Sequence, residues 1–291
     1  MKKIAVVTDS HSSIPLAEAA MLGVYVLPMP FDIDGQEYFE GVNITRQQFF
    51  GYQRAGASIG TSQPAPAAVM EMWDKLLAEY ESILYMPLSS GLSSSCQTAL
   101  AYAEEEPYAG RVFVVDNGRI ATPLHRSILD ALELIEKGLS AAECKAALEA
   151  AKGDMVIYLA VETLEYLKRG GRISSTAAAV GTLLNIKPIL HLATGKLESY
   201  KKARGMNKAC EAMLESIRED LNGRFAEANA HGDVYLLAAG SADDVATAKW
   251  LKQIEAAFPG MPILYDDLSM GVSCHTGEGA LGIGLSVRPQ V

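Results

Sequence analysis

Ten short runs of β-branched and apolar residues alternate with longer segments of helical spacing, and that alternation leaves few architectures open. The runs lie at 4–8, 24–29, 82–88, 112–116, 155–160, 188–192, 197–200, 234–239, 262–265 and 280–287. Several are apolar throughout, as in Val112-Phe113-Val114-Val115. A strand with one wet face alternates apolar and polar residues. One without polar positions is buried on both faces, so helices must cover both sides of its sheet. Helical spacing occupies 65–80, 92–105, 123–137, 206–222 and 243–258. Gly138 stops the third of these, and Ser140-x-x-Glu143 then has the form of a capping box, opening a helix to about residue 152. The class is therefore α/β. The first half predicts a mainly parallel sheet with flanking helices. In the second, residues 190–200 read as a hairpin through Ala193-Thr194-Gly195-Lys196, which predicts a mixed or antiparallel sheet. Lys152-Gly153-Asp154 is the preferred boundary, giving domains 1–153 and 154–291.

Charge and cysteine usage narrow the function classes. The net charge of −10 repels phosphate backbones and anionic lipid surfaces, so no nucleic-acid partner is expected. No window approaches the ~18 uninterrupted apolar residues of a membrane span, so no stable insertion is expected. The apolar run after Lys2-Lys3 is cut short by Asp9 and reads as a first core strand, not a leader peptide. Cys96, Cys144, Cys210 and Cys274 are scattered and form no CxxC pair, so neither a metal site nor a disulfide framework is indicated. A reducing cytoplasm fits that usage. Hydrophobic residues make up 49% of the chain, enough for a core with apolar side chains left to line a cavity. Nothing in the sequence calls for a cofactor.

Three segments set small hydroxyls after a strand and before a helix. They are Thr8-Asp9-Ser10-His11-Ser12-Ser13, Thr61-Ser62-Gln63-Pro64 and Ser89-Ser90-Gly91-Leu92-Ser93-Ser94-Ser95. In open α/β sheets ligands bind at the carboxyl ends of strands, and helix starts add free N–H groups and partial positive charge. An anion is stabilised there without a lysine or arginine. Each segment alone also reads as an ordinary N-cap. Five serines in seven residues exceed what one cap needs. Downstream, Leu167-Lys168-Arg169-Gly170-Gly171-Arg172-Ile173 permits a tight turn or a close backbone approach beside cations. Those cations, and Arg204, also read as solvated charge. His275 stands in the glycine-rich stretch Gly271-Val272-Ser273-Cys274-His275-Thr276-Gly277-Glu278-Gly279, which reads as a loop. There it is free of helical packing and able to point into a cleft, as a hydrogen-bond donor or in proton transfer. A plain loop histidine is the alternative.

In this order, Thr8-Asp9-Ser10, Thr61-Ser62-Gln63-Pro64, Ser89-Ser90-Gly91-Leu92-Ser93, Val115-Asp116, Leu167–Ile173, Lys187-Pro188-Ile189-Leu190 and His275-x-Gly277-x-Gly279-Ala280 span nearly the whole chain. The set resembles the DegV family of bacterial lipid-binding proteins, which includes the FakB fatty-acid-binding subunits. The resemblance implies two α/β domains enclosing one long-chain fatty acid. It implies that Thr61 and Ser93 hold the carboxylate, with His275 beside it; their neighbours Ser62 and Ser94 are then candidates for further backbone or hydroxyl donors. Arg172 and Arg204 match basic positions that would contact the head group or a partner. It further implies a separate ATP-dependent kinase that converts the presented acid to an acyl phosphate. The chain departs from the family pattern at Ser94-Ser95-Cys96, Asp116-Asn117 and Glu278 and keeps the carboxylate pair.

Two enzymatic readings of the same residues stay open at this point. Ser93, His275 and Asp9 or Asp116 could compose a hydrolase triad, although the loop lacks a Gly-x-Ser-x-Gly elbow. A phosphotransfer enzyme acting through His275 would use the glycine-rich surround, although no phosphate-binding Gly-x-x-x-x-Gly-Lys loop is present.

Overall fold

The computed structural model describes residues 2–173, 185–192 and 197–290. The chain opens with β1 (Lys2–Asp9), a single turn of 3-10 helix (Ser10–Ser12), α1 (Leu16–Leu22) and β2 (Val24–Leu27). There follow β3 (Pro30–Ile33), β4 (Gln36–Phe39), α2 (Arg46–Arg54), β5 (Ile59–Thr61) and α3 (Pro66–Leu77). Next come β6 (Tyr80–Met86), α4 (Ser95–Ala103), β7 (Val112–Val114), α5 (Ala121–Glu136) and α6 (Ala141–Ala150). Strands β2-β1-β6-β7 form a sheet whose pairings are all parallel. Successive side chains alternate between two cores, as strand geometry demands. Val7, Ile83 and Tyr85 pack with Trp73 of α3 and Cys96 of α4 on one face. Val6, Leu84 and Met86 pack with Leu124 and Ile128 of α5 and Leu148 of α6 on the other. Both faces are covered, as the wholly apolar runs predicted. The capping box at Ser140 is formed, with its hydroxyl and the Glu143 carboxylate each meeting the other's backbone N–H.

The second half contains β8 (Met155–Ala160), α7 (Glu165–Arg169), β9 (Ile186–Leu192), β10 (Leu197–Arg204), α8 (Met206–Asn222) and α9 (Ala226–His231). It closes with β11 (Val234–Gly240), α10 (Asp244–Ala257), β12 (Ile263–Asp267), α11 (Met270–Thr276) and β13 (Leu281–Val287). Its six strands run in the order β10-β9-β8-β13-β11-β12, with only β11 and β12 paired in parallel. The sheet is therefore mixed. Strands β9 and β10 pair antiparallel as the hairpin reading required, although its turn residues 193–196 lie outside the described residues.

A small antiparallel sheet, β4-β3-β5, was not expected from the sequence. Its strands have three or four residues, too few for a periodicity to register. The available signal was Asp34-Gly35, since both residues hold positive φ (51° and 86°), which a two-residue hairpin turn requires. This sheet and α2 form a core of Phe31, Ile33, Ile44, Phe49 and Phe50 that takes in Met270 and Cys274 of α11. A C-terminal helix is thus seated in an N-terminal core. Helix α5 also lies between the halves, touching β1 on one side and β11, β12 and β13 on the other. The turn at 151–153 separates the two large sheets along the chain, but α5 and α11 join them in space.

Candidate functional site

Strands β1 and β6 end on one edge of the parallel sheet, so the loops following Asp9 and Met86 open on the same side. Thr61, the last residue of β5, is brought beside them by the small sheet, and α11 crosses over the top. Between them lies a cavity of about 290 Å³. Thr61, Ser62, Ser93, Ser94, Arg172 and His275 all line it, together with His11, Met29 and Gln63.

The sequence placed His275 in an open glycine loop. It stands instead in the last turn of α11, with its ring laid on the backbone of Gly170. A Cβ at residue 170 would fall 2.1 Å from His275 Nδ1, which explains why that position is glycine. His275 Nε2 lies 2.9 Å from Thr61 Oγ1, while Nδ1 is buried without a partner among the described residues. A buried N–H left unpaired costs more than an unpaired lone pair. The proton is therefore assigned to Nε2, which donates to Thr61 and leaves the threonine's own proton free for the cavity. Burial, aided by the nearby Arg172 and His11, pushes the His275 pKa down to about 4. The ring is neutral at physiological pH.

The serine loop meets this pair from the other side. Ser93 Oγ donates to Ser95 Oγ at 3.0 Å and accepts from Ser95 N at 3.2 Å. Ser94, at the start of α4, makes no capping bond. Its hydroxyl accepts from Gln63 Nε2 at 2.7 Å, and Gln63 Oε1 accepts from Thr98 at 2.9 Å. Gln63 thereby stitches the threonine loop to the serine loop, a role that spacing gave no reason to assign. Ser62 and Ser94 are exposed at the mouth. Arg172 donates to the carbonyls of Leu92 at 3.3 Å and Gly170 at 2.5 Å, tying the Gly-Gly turn to the serine loop at the cavity wall. Arg204 lies apart from these residues. It ends β10, exposed, and is not among the described residues that line the cavity, which leaves it placed for a partner and not for the head group. His11 belongs to the first hydroxyl segment, where spacing gave it no role of its own. It is buried in the wall, with its ring against Gly271.

The triad reading fails on geometry. His275 bonds Thr61, and Ser93 bonds Ser95. Asp9 is buried and accepts from the backbone N–H groups of His11 and Leu88 at 2.9 and 2.8 Å. Asp116 accepts from Ser90 and Lys152 at 2.7 and 2.9 Å. Both carboxylates are committed to holding loops. Among the described residues no group of three His, Cys, Asp or Glu is placed to bind a metal ion.

The cavity continues inward. Leu92, Ile120, Leu197, Val272 and Thr276 also border a second, apolar space of about 70 Å³ between the start of α5 and the inner face of the six-stranded sheet. The two threonines on its wall turn their hydroxyls away, Thr122 to the Ala238 carbonyl and Thr276 to that of Val272. A polar mouth thus leads into a hydrocarbon-lined depth, a shape suited to an amphiphile with a small anionic head.

Comparison with known proteins gives a consistent picture. Residues 3–288 match the family model described as "Uncharacterised protein, DegV family". A DegV domain-containing protein of Deinococcus radiodurans is 32% identical over 285 residues, covering 97% of this chain and 98% of that one. Another from Clostridium perfringens is 30% identical and covers 97% of each. A solved Thermus thermophilus structure, described as showing fatty acid binding of a DegV family protein, superposes with a TM-score of 0.86. It is 35% identical and covers 98% of this chain and 99% of its own. The Bacillus subtilis protein described as DegV, a fatty acid binding protein, gives a TM-score of 0.85 at 26% identity, covering 99% of this chain and 100% of its own.

Proposed function

The chain belongs to the DegV family, and on that footing we propose that it binds one long-chain fatty acid with the carboxylate at Thr61 and Ser93. The observation that carries this reading is the continuity of the hydroxyl-lined mouth with the apolar space beneath it. Similar solved proteins described as fatty acid binding support it. In this reading Thr61, polarised by His275 Nε2–H, donates to one carboxylate oxygen. Ser93 turns its proton from Ser95 to the other. Ser62, Ser94 and the N-terminus of α4 complete the cradle, and Arg172 supplies positive charge at the wall. The tail provides affinity. About 15 buried methylenes at ~0.8 kcal/mol each give on the order of 12 kcal/mol before the costs of association.

The protein then acts as a non-catalytic carrier. The head group sits at an exposed mouth bordered by Ser62, Gln63 and Ser94, where a separate ATP-dependent kinase can reach the carboxylate and form an acyl phosphate. Four unpaired, buried cysteines suit a reducing cytoplasm. Among the described residues no helix is long and apolar enough to cross a membrane. Native mass spectrometry of the purified protein, followed by extraction, tests the reading. One long-chain acid per chain is expected. A protein that carries none and takes up none when palmitate or oleate is added would refute it.

A further inference from the structure

The inner face of the six-stranded sheet changes character along its strands. Across β11, β13, β8 and β9 the first rung is Ala239–Gly282–Leu159–Leu190 and the second is Leu237–Gly284–Ile157–Leu192. Side chains from both rungs line the apolar space, where Gly282 and Gly284 leave room on β13 that any side chain would take. The third rung, Tyr235–Ser286–Met155, lies roughly 7 Å further along the strands. There the face turns polar, with Arg119 beside an Arg126 that is itself paired to Asp130 and Glu133 at 2.9 and 2.7 Å. Arg119 donates from Nη1 to Ser286 Oγ at 2.7 Å and from Nη2 to the Ala151 carbonyl at 3.2 Å. Arg126 covers the Tyr235 ring at 4.3 Å. Arg119 is 1% exposed, its Nε has no partner among the described residues, and it directly precedes Ile120 and Ala121, which line the apolar space.

From this we infer that Arg119 and Ser286 form a polar stop at the far end of the acyl channel, and that this stop, above the glycine floor of β13, sets the longest chain the protein accepts. The inference rests on the fatty-acid reading of the cavity. A methylene gains by leaving water only if it meets other apolar groups. Beyond Gly284 it would meet a guanidinium already stripped of water, which gains nothing from hydrocarbon and loses any water that reaches Nε. Extra carbons must then protrude at the mouth or force the Arg119–Ser286 pair apart.

The test uses the delipidated full-length chain and an equimolar mixture of saturated fatty acids of twelve to twenty carbons, with bound acids counted by native mass spectrometry. Arg119→Met opens an apolar end of similar reach. The bound distribution is expected to move at least two carbons longer, with a tenfold or greater rise in the ratio of the new length to the old. Gly282→Ala raises the floor: its Cβ meets the movable tip of Leu159 at 3.2 Å and lies at ordinary contact distance, 3.4 and 3.5 Å, from the Tyr158 and Ala239 carbonyls. Its distribution is expected to move shorter. Gly284 is unsuitable because a Cβ there would fall 2.6 Å from the Val156 carbonyl. If Arg119→Met does not fold, Gly282→Ala decides alone. Wild-type loading with an unchanged length distribution in a loaded variant overturns the stop. Failure of the wild type to load any acid overturns the proposed function first and the stop with it.

Discussion

Replacing Thr61 by valine isolates the head-group contact, because valine keeps the branched shape that suits the end of β5 and removes only the hydroxyl. Two hydrogen bonds are at stake. The first, from His275 Nε2 to Thr61 Oγ1 at 2.9 Å, exists without ligand and leaves a second His275 nitrogen unpaired when it is lost. It is missing from the free and loaded variant alike, so it cancels from affinity and shows in stability, at about 1 kcal/mol. The second is the bond from Thr61 to the carboxylate, present only in the complex. A hydrogen bond to a charged group contributes about 1.5–3 kcal/mol, which is roughly a tenfold to hundredfold rise in Kd. Titration calorimetry of delipidated protein with palmitate measures it, and denaturant unfolding measures the stability change separately. The preferred acyl length stays as in the wild type, since the tail walls are untouched. A Kd within twofold of wild type, with stability still reduced, would show that Thr61 only buttresses His275, and the site assignment would fall.

Gly170→Ala attacks the same bond from behind. Its Cβ would lie 2.1 Å from His275 Nδ1, so the ring must shift and release Thr61. The Thr61 hydroxyl survives in this variant, so affinity should fall less than in Thr61→Val, while overpacking costs about 1–3 kcal/mol of stability. Wild-type affinity and melting temperature in this variant would refute the packing argument. Acid should weaken the empty protein through His275. Its pKa is about 4 in the folded chain against 6.5 for the free side chain, held down first by burial and then by Arg172 and His11. Between those values the unfolded chain binds more protons, so stability rises with pH. The contribution, about 3 kcal/mol at roughly 1.4 kcal/mol per unit, is complete above pH ~6.5 and is lost as pH falls toward 4. Urea unfolding from pH 4 to 7 should therefore be steeper in pH for the wild type than for His275→Gln. Equal slopes would refute the assignment.

Which elements exist was legible in the chain because each signal is local. Apolar runs such as 112–115 announce strands buried on both faces, and Ser140-x-x-Glu143 announces a helix start through contacts three residues apart. The hydroxyl segments were legible as well, since Thr61-Ser62 and the Ser89–Ser95 run are unusual wherever they fold. Tertiary structure decided everything that depends on distant partners. His275 looked like a loop residue because glycines surround it. It is helical because Met270 and Cys274 of the same segment are buried in the small-sheet core of Phe31, Ile33 and Phe49. Arg172 and Arg204 were indistinguishable as exposed cations, yet only Arg172 lines the cavity, drawn in by the carbonyls of Leu92 and Gly170. Gln63 acquired its place because the loop after β5 meets Ser94 of the serine loop, and His11 because the loop after β1 packs against Gly271 of α11. A sequence specifies its local hydrogen bonds and its apolar periods. The shape of a cavity is what remains between elements after they pack, and no segment contains it alone.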